Sequence, residues 1–279
     1  MREFAFIKKE IKLPGVMGMM QPIHLGDTLI TLNLLYNRAK ILNQEFNVFG
    51  PSWIEQLFHI FDYKWLKYEG NYEHTKGDPF VSFSDLMPNN KKGYCNACRC
   101  CRRRRSKQPP TYLDSKFCSI SNFKPIEYQK FVLPDNKIFP VRFENITYFQ
   151  FDSRSLHCEH KVPLSRKEAE KVISQFKSHN SKVFGIGGTE TKSYMNYSFH
   201  LGNLTEIAQN LCNSKKFLGI DSGISHLAGS LKINGEIINI HTQEPMVSEL
   251  IEMYEIFYPT LKNIKRVDFL KAKACKFLL

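Results

Sequence analysis

The chain has 279 residues, 42% of them hydrophobic and 24% charged, a balance that excludes collagen-like and wholly disordered classes and suits one or two globular domains. The opening MREFAFIKKEIK alternates charged and apolar groups, and no long apolar run follows, so neither a membrane span nor a secretory leader is expected. The net charge is +12 with eight cysteines, too sparse for a disulfide scaffold, which predicts a reducing, cytoplasmic setting.

In chain order, residues 16–20 form a short apolar run, then a loop with Pro22, His24 and Gly26. Asp27-Thr28 opens a helix carrying Leu29, Ile30, Leu32, Leu34 and Leu35, where an acid at the start complements the dipole. Residues 46–49 predict a second strand, Gly50-Pro51 introduces a helix with Trp53, Ile54, Leu57 and Phe58, and residues 64–68 predict a third strand. This β-α-β-α-β order predicts a parallel sheet with crossover helices.

From about 69 to 140 the periodicity is lost. Lys91, Lys92, Arg99, Arg102, Arg103, Arg104, Arg105 and Lys107 crowd into seventeen residues without an acid. A second basic stretch runs from Lys262 through Lys265, Arg266, Lys271, Lys273 and Lys276. Such patches attract nucleic acid, anionic lipid or phosphorylated substrates, and charge alone does not choose among them. Inside the first patch, Cys95, Cys98, Cys100 and Cys101 have spacing that suits a structural zinc, with Cys118, His157, Cys158 or His160 as completing ligands; a surface loop without metal and a redox segment are the other readings.

A second alternating block follows. Residues 146–151 predict a strand, and Ser165 with Glu168 a capping box ahead of Ala169, Val172, Ile173 and Phe176 at helical spacing. Strands are expected at 182–186, 216–220 and 237–240, and helices at 204–212, after Asp221-Ser222-Gly223, and at 246–257. Leu261, Ile264, Val267, Phe269 and Leu270 predict an amphipathic helical tail over 261–279. The expected organisation is a first domain over 1–140 with a basic, Cys-rich insertion at about 70–120, a second over 141–260, and the tail.

The most informative string is Phe217-Leu218-Gly219-Ile220-Asp221-Ser222-Gly223-Ile224-Ser225-His226-Leu227-Ala228. It reads as a buried strand, a polar turn and a helix opened by small residues. Parallel sheets bind ligands beyond the carboxyl ends of their strands, and exposed amides at a helix start seat phosphate. Ser222 and Gly223 would admit a diphosphate, His226 would add a donor, and Asp221 would orient a sugar or ribose hydroxyl. The same string also reads as a plain turn whose Asp and Ser cap a helix. Gly185-Ile186-Gly187-Gly188-Thr189-Glu190-Thr191-Lys192 is neither a dinucleotide fingerprint nor a Walker loop.

The Asp221–Ala228 string resembles the DTGxxHLAAAL-type signature of family-nine glycosyltransferases, the ADP-heptose:lipopolysaccharide heptosyltransferases. Gly26-Asp27-Thr28-Leu29, about 195 residues earlier, is similar to that family's N-terminal Gly-Asp motif. The resemblance implies an α/β fold of GT-B type, two Rossmann-like domains facing across a cleft, with a nucleotide-sugar held by the second domain and a C-terminal helix crossing back. It implies inverting transfer of a sugar, heptose by family default, to an acceptor hydroxyl, with Asp27 as general base and His24 a neighbouring alternative. It also implies donor contacts from Glu190, Gly188 and Lys192, and neutralisation of the leaving diphosphate by Arg154 or Lys161, with an Asp152–Arg154 ion pair as the alternative. His160-Lys161-Val162-Pro163 matches the family's lysine segment only loosely. No DxD motif occupies the donor region, so no metal is expected for catalysis and zinc would be structural.

The implied partners are an ADP-linked donor and an anionic glycan, glycolipid or protein acceptor, with peripheral contact at the inner membrane face. Two other readings use the same residues: a nucleic-acid-binding protein built on the Cys/Arg segment, whose binding would be steeply salt-dependent, and a catalytically inactive GT-B-like scaffold.

Overall fold

A computed structural model of the chain describes residues 5–9, 17–20, 25–43, 45–49, 52–70, 132–138, 140, 145–152, 161–176, 182–188, 196–242 and 244–266. The chain separates into two units, Met1–Lys137 and Ile138–Leu279. Among the described residues no helix is long and apolar enough to cross a membrane.

The first unit contains β1 (Ala5–Lys9), β2 (Met17–Met20), α1 (Leu25–Leu42), β3 (Phe46–Phe49), α2 (Trp53–Ile60) and β4 (Leu66–Tyr68). Its sheet runs β2-β1-β3-β4. The expected parallel sheet is corrected here: β3 and β4 pair in parallel, but β1 is antiparallel to both β2 and β3. Seven residues separate β1 from β2, too few for the dozen or more that a crossover to a parallel neighbour needs. The charge-apolar alternation at the start of the chain is that extra strand.

α1 begins at Leu25, two residues before the expected Asp27. It buries Leu29, Ile30, Leu32, Tyr36 and Ala39, together with Asn33 and Asn37. The buried amides are satisfied, as buried polar groups must be. Tyr63 Oη donates to Asn33 Oδ1 at 3.0 Å. Asn37 Nδ2 donates to the Val132 carbonyl at 2.7 Å and its Oδ1 accepts the Val132 amide at 2.7 Å. The returning segment is further fixed where Asp62 N–H meets the Asp135 carbonyl and Lys137 N–H the Ile60 carbonyl, each at 2.7 Å.

The second unit contains β5 (Ile146–Gln150), α3 (Arg166–Phe176), β6 (Lys182–Gly187), β7 (Phe199–Leu201), α4 (Leu204–Cys212), β8 (Lys216–Ile220), α5 (Gly223–Ser230), β9 (Gly235–Asn239), α6 (Glu244–Phe257) and β10 (Leu261–Lys265). Its six strands are all parallel, in the order β10-β9-β8-β5-β6-β7. Every residue of β5 is buried, as a central strand covered on both faces requires. Phe149, Leu218, Ile220, Ile238 and Ile240 pack with Ala169, Val172 and Ile173 of α3; the period-two spacing within β8 puts Leu218 and Ile220 on one face of the sheet.

Residues 261–265 correct the expected helical tail. Leu261 and Ile264 sit three apart, which suits a helix, yet this stretch pairs with β9 from Leu261↔Gly235 to Lys265↔Asn239. Pairing across an open sheet edge outweighs a short helical period. Residues 267–279 lie outside the described residues.

Candidate functional site

Counted from β5 as first, the strands of the second unit lie in the order 3-2-1-4-5-6, the doubly wound, Rossmann-like arrangement whose ligand crevice opens where the order reverses. That reversal falls between β5 and β8. There Ser222 Oγ donates to Gln150 Oε1 at 2.8 Å, joining the carboxyl ends of the two strands across the switch point.

Ser222 is also the N-cap of α5: its Oγ accepts the Ser225 amide at 3.3 Å. The first turn-closing bond runs from His226 N–H to the Ser222 carbonyl at 3.1 Å. The amides of Gly223 and Ile224 precede that bond, at the end of the helix where the dipole is positive. The helix can sit this tightly against the sheet because Gly219 lacks a side chain; a Cβ there would meet Ser225 Oγ and the Phe217 ring at 2.7 Å.

Asp221, between β8 and that cap, gathers the charged and aromatic groups. Its Oδ2 lies 3.4 Å from Lys161 Nζ. Its Oδ1 lies 3.4 Å from His226 Nε2 and accepts from Tyr254 Oη at 3.3 Å. His241 Nε2 stands 4.0 Å from Oδ2. Burial pushes this carboxyl up, but the Lys161 ammonium, His226 and His241 overcome it and hold it well below the usual carboxylate range. Both oxygens therefore face protein donors, and Asp221 acts here as the post around which the site is assembled.

His226 is turned inward. Its Nδ1 lies 3.3 Å from Tyr258 Oη, and its ring stacks on Tyr254 with centroids 5.6 Å apart. Its two ring nitrogens thus link Asp221 on one side to Tyr258 on the other. Gly229 lets the same ring approach the helix: a Cβ there would meet the Tyr258 ring at 2.4 Å.

Lys161 is placed by a strand-like bridge to His241 and by the neighbouring bond from Val162 N–H to the Ile240 carbonyl at 3.0 Å. Arg266 fixes the same segment. It donates to the Val162 carbonyl at 3.0 Å and grips Glu168 with contacts of 2.7, 2.8 and 3.1 Å. Glu168 in turn accepts from the Ser165 amide at 2.8 Å and hydroxyl at 2.7 Å, the capping box that opens α3. Burial raises the Glu168 carboxyl, and Arg266 with the two Ser165 bonds brings it below its ordinary value.

Of the residues singled out in the sequence, Asp221, Ser222, Gly223, His226 and Lys161 meet at this edge. Gly188 directly follows β6, with open space where a Cβ would stand. Asp27 is the third residue of α1 in the first unit, and its side chain lies outside what the structure describes. Arg154, Glu190, Lys192, His24, Cys118, His157, Cys158 and His160, and the cluster Cys95, Cys98, Cys100 and Cys101, lie outside the described residues. Asp152 is described and half-buried. Gln150, His241, Tyr254 and Arg266 were not legible as site residues, because each reaches the site through a contact distant in sequence; the run Ile237-Ile238-Asn239-Ile240-His241, a polar group ending a buried strand, was the available signal for His241.

No family model matches the chain, and no curated protein matches it. Among solved structures, E. coli heptosyltransferase WaaC with ADP is similar at 14% identity and a TM-score of 0.40, over 76% of this chain and 65% of that one. E. coli heptosyltransferase WaaC with ADP-2-deoxy-2-fluoro heptose is similar at 13% identity and a TM-score of 0.31, over 63% of this chain and 55% of that one. The chain thus spans less than two thirds of the length of either.

Proposed function

We propose that this protein is a glycosyltransferase, and that its second unit seats the diphosphate of a nucleoside diphosphate sugar at the start of α5. The observation that carries the reading is the α5 N-terminus at the switch point, locked to β5 through Ser222 and Gln150, with the Gly223 and Ile224 amides ahead of its first turn-closing bond. The resemblance of this string and of Gly26-Asp27 to family-nine glycosyltransferases supplies the reaction class.

In this reading the acceptor hydroxyl attacks the anomeric carbon from the side opposite the diphosphate. The new C–O bond forms as the sugar–phosphate C–O bond breaks, the nucleoside diphosphate leaves with the electron pair, and configuration inverts. Asp27 takes the hydroxyl proton, a role suited to a carboxylate in the first turn of a helix, where the dipole favours the anion. The α5 dipole and amides stabilise the charge gathering on the leaving group, a preorganised electrostatic role. Gly188 leaves room beside β6 for the nucleoside, with Glu190, Lys192 and Arg154 as further donor contacts. Heptose and an ADP-linked donor are the family default, the acceptor is an anionic glycan, glycolipid or protein drawn by the basic segment, and no metal is required.

The test is release of nucleoside diphosphate from ADP-, UDP-, GDP- and dTDP-sugars on addition of phosphorylated glycolipid acceptors, in EDTA. Acceptor-dependent release from one donor class supports the reading. No release with any pair contradicts it.

A further inference from the structure

The parallel sheet of the second unit presents its strand starts on the edge opposite the candidate site, and that edge is basic. Lys182 opens β6 level with Ile146, and Lys216 opens β8 level with Thr147. Lys215 comes just before, its N–H donating to the Ile146 carbonyl at 2.8 Å. Lys262 lies level with Glu236 near the start of β10. The turn carrying Lys232 reaches the same edge through the bond from Phe217 N–H to the Asn234 carbonyl at 2.9 Å. These five lysines are exposed, whereas Glu236, the one acid that the described residues place at these strand starts, is half-buried.

Helix dipoles explain part of this. Cations are favoured near helix C-termini, which covers Lys232, two residues past α5, and Lys215, three past α4. Lys182 and Lys262 stand within strands, where no dipole calls for a charge. Lys232 is moreover held at φ 60 just beyond the α5 cap, in the left-handed region where glycine is the ordinary occupant and a side chain is strained.

We propose that this amino edge of the sheet is a docking surface for an anionic lipid bilayer. Successive strand residues point to opposite faces, so Lys215 and Lys216 project on the two sides of the sheet. The charge is thus spread over a plane rather than lined along a groove. Among the described residues these strand starts carry no arginine and no exposed aromatic ring, whereas single-stranded nucleic acid is gripped by stacked aromatics and arginine. Lysines alone suffice at a bilayer, where the surface potential of anionic headgroups attracts them within about a Debye length. Docked by this edge, strands of five residues hold the α5 start about 17 Å from the lipid, facing water. A soluble nucleotide and the bilayer then do not compete.

The test is co-sedimentation of the full chain with vesicles of phosphatidylglycerol mixed with phosphatidylcholine, and with vesicles of phosphatidylcholine alone, at low and high salt. Three combined variants are compared with the native protein. The first carries Lys182→Gln, Lys215→Gln and Lys262→Gln; the second carries arginine at those three positions. The third carries Lys64→Gln, Lys67→Gln and Lys167→Gln, exposed lysines on other elements, and loses the same net charge. The native protein should bind the anionic vesicles alone and be released by salt. The glutamine edge variant should bind about a hundredfold more weakly, at roughly fivefold per lysine near a lipid surface. The arginine variant should bind as the native protein does, and the third variant within about threefold of it. Absence of native binding, native-like binding by the glutamine edge variant, or failure of the arginine variant overturns the proposal. Equal losses in the first and third variants also overturn it, since overall charge then suffices. A parallel titration with duplex RNA supplies the last outcome: if the glutamine edge variant loses RNA and keeps vesicles, the edge is a nucleic-acid surface and the proposal falls.

Discussion

Lys161 Nζ lies 3.4 Å from Asp221 Oδ2 across sixty residues of sequence, with 8% of the lysine side chain and 18% of the aspartate exposed. Removing one member of such a pair strands the other charge, which costs far more than the pair itself contributes. Lys161→Ala should therefore destabilise the protein by about 3 kcal/mol or more. Lys161→Met combined with Asp221→Asn should recover most of that loss. Urea midpoints of the native protein and the two variants check both statements.

The same carboxylate sets a pH dependence. Asp221 and Glu168 are both held below their ordinary values, so the folded state binds their protons more weakly than the unfolded chain does. Their stabilisation is fully present above the unfolded values of about 3.9 and 4.3 and is lost as pH falls through the lower folded values. Urea midpoints measured from pH 6 to 3 should fall, and Asp221→Asn and Glu168→Gln should each flatten the slope. An unchanged slope in both variants would contradict the assignment.

Arg266 ties the strand edge to α3 through Glu168 and to the Lys161 segment through the Val162 carbonyl. Arg266→Ala should cost about 1–2 kcal/mol, the range for a charge-assisted, bidentate contact that is partly exposed. Arg266→Lys should rescue little, because a single ammonium cannot reproduce the fork. Thermal unfolding of the two variants distinguishes these outcomes.

Asp27→Ala should lower turnover by about 10²–10⁴-fold, the usual contribution of a general base, with donor affinity unchanged. Single-turnover rates and donor titration measure the two quantities separately. An unaltered rate would remove Asp27 from the mechanism.

What the sequence made legible was local. Ser222 before Gly223, and Ser165 three residues before Glu168, state their helix starts in a few letters, and both caps form. The strands at 146–150 and 216–220 announce themselves as short apolar runs. What stayed hidden depends on pairing between distant segments. β1 sits in a lysine-rich stretch and exists by virtue of β2 and β3. β7 is three residues long and is defined by its register with β6. Residues 261–265 read as helix because Leu261 and Ile264 are three apart, and β9 makes them a strand. Within the site, the position of Asp221 was legible but its surroundings were not, since Lys161, His241 and Tyr254 reach it from three other segments.

The account depends on a diphosphate binding at the first amides of α5, and one measurement addresses that most directly: the Tm shift produced by a panel of ADP-, UDP-, GDP- and dTDP-sugars on the native protein and on Gly223→Asp. An aspartate in the first helical turn suits the dipole, so the variant should fold at least as well without ligand, while its charge repels a diphosphate. A ligand at a hundred times its dissociation constant adds about 2.7 kcal/mol, so at least one nucleotide-sugar should raise the native Tm by several degrees and leave Gly223→Asp unmoved. An equal shift in both proteins, or no shift with any member of the panel, would contradict the account.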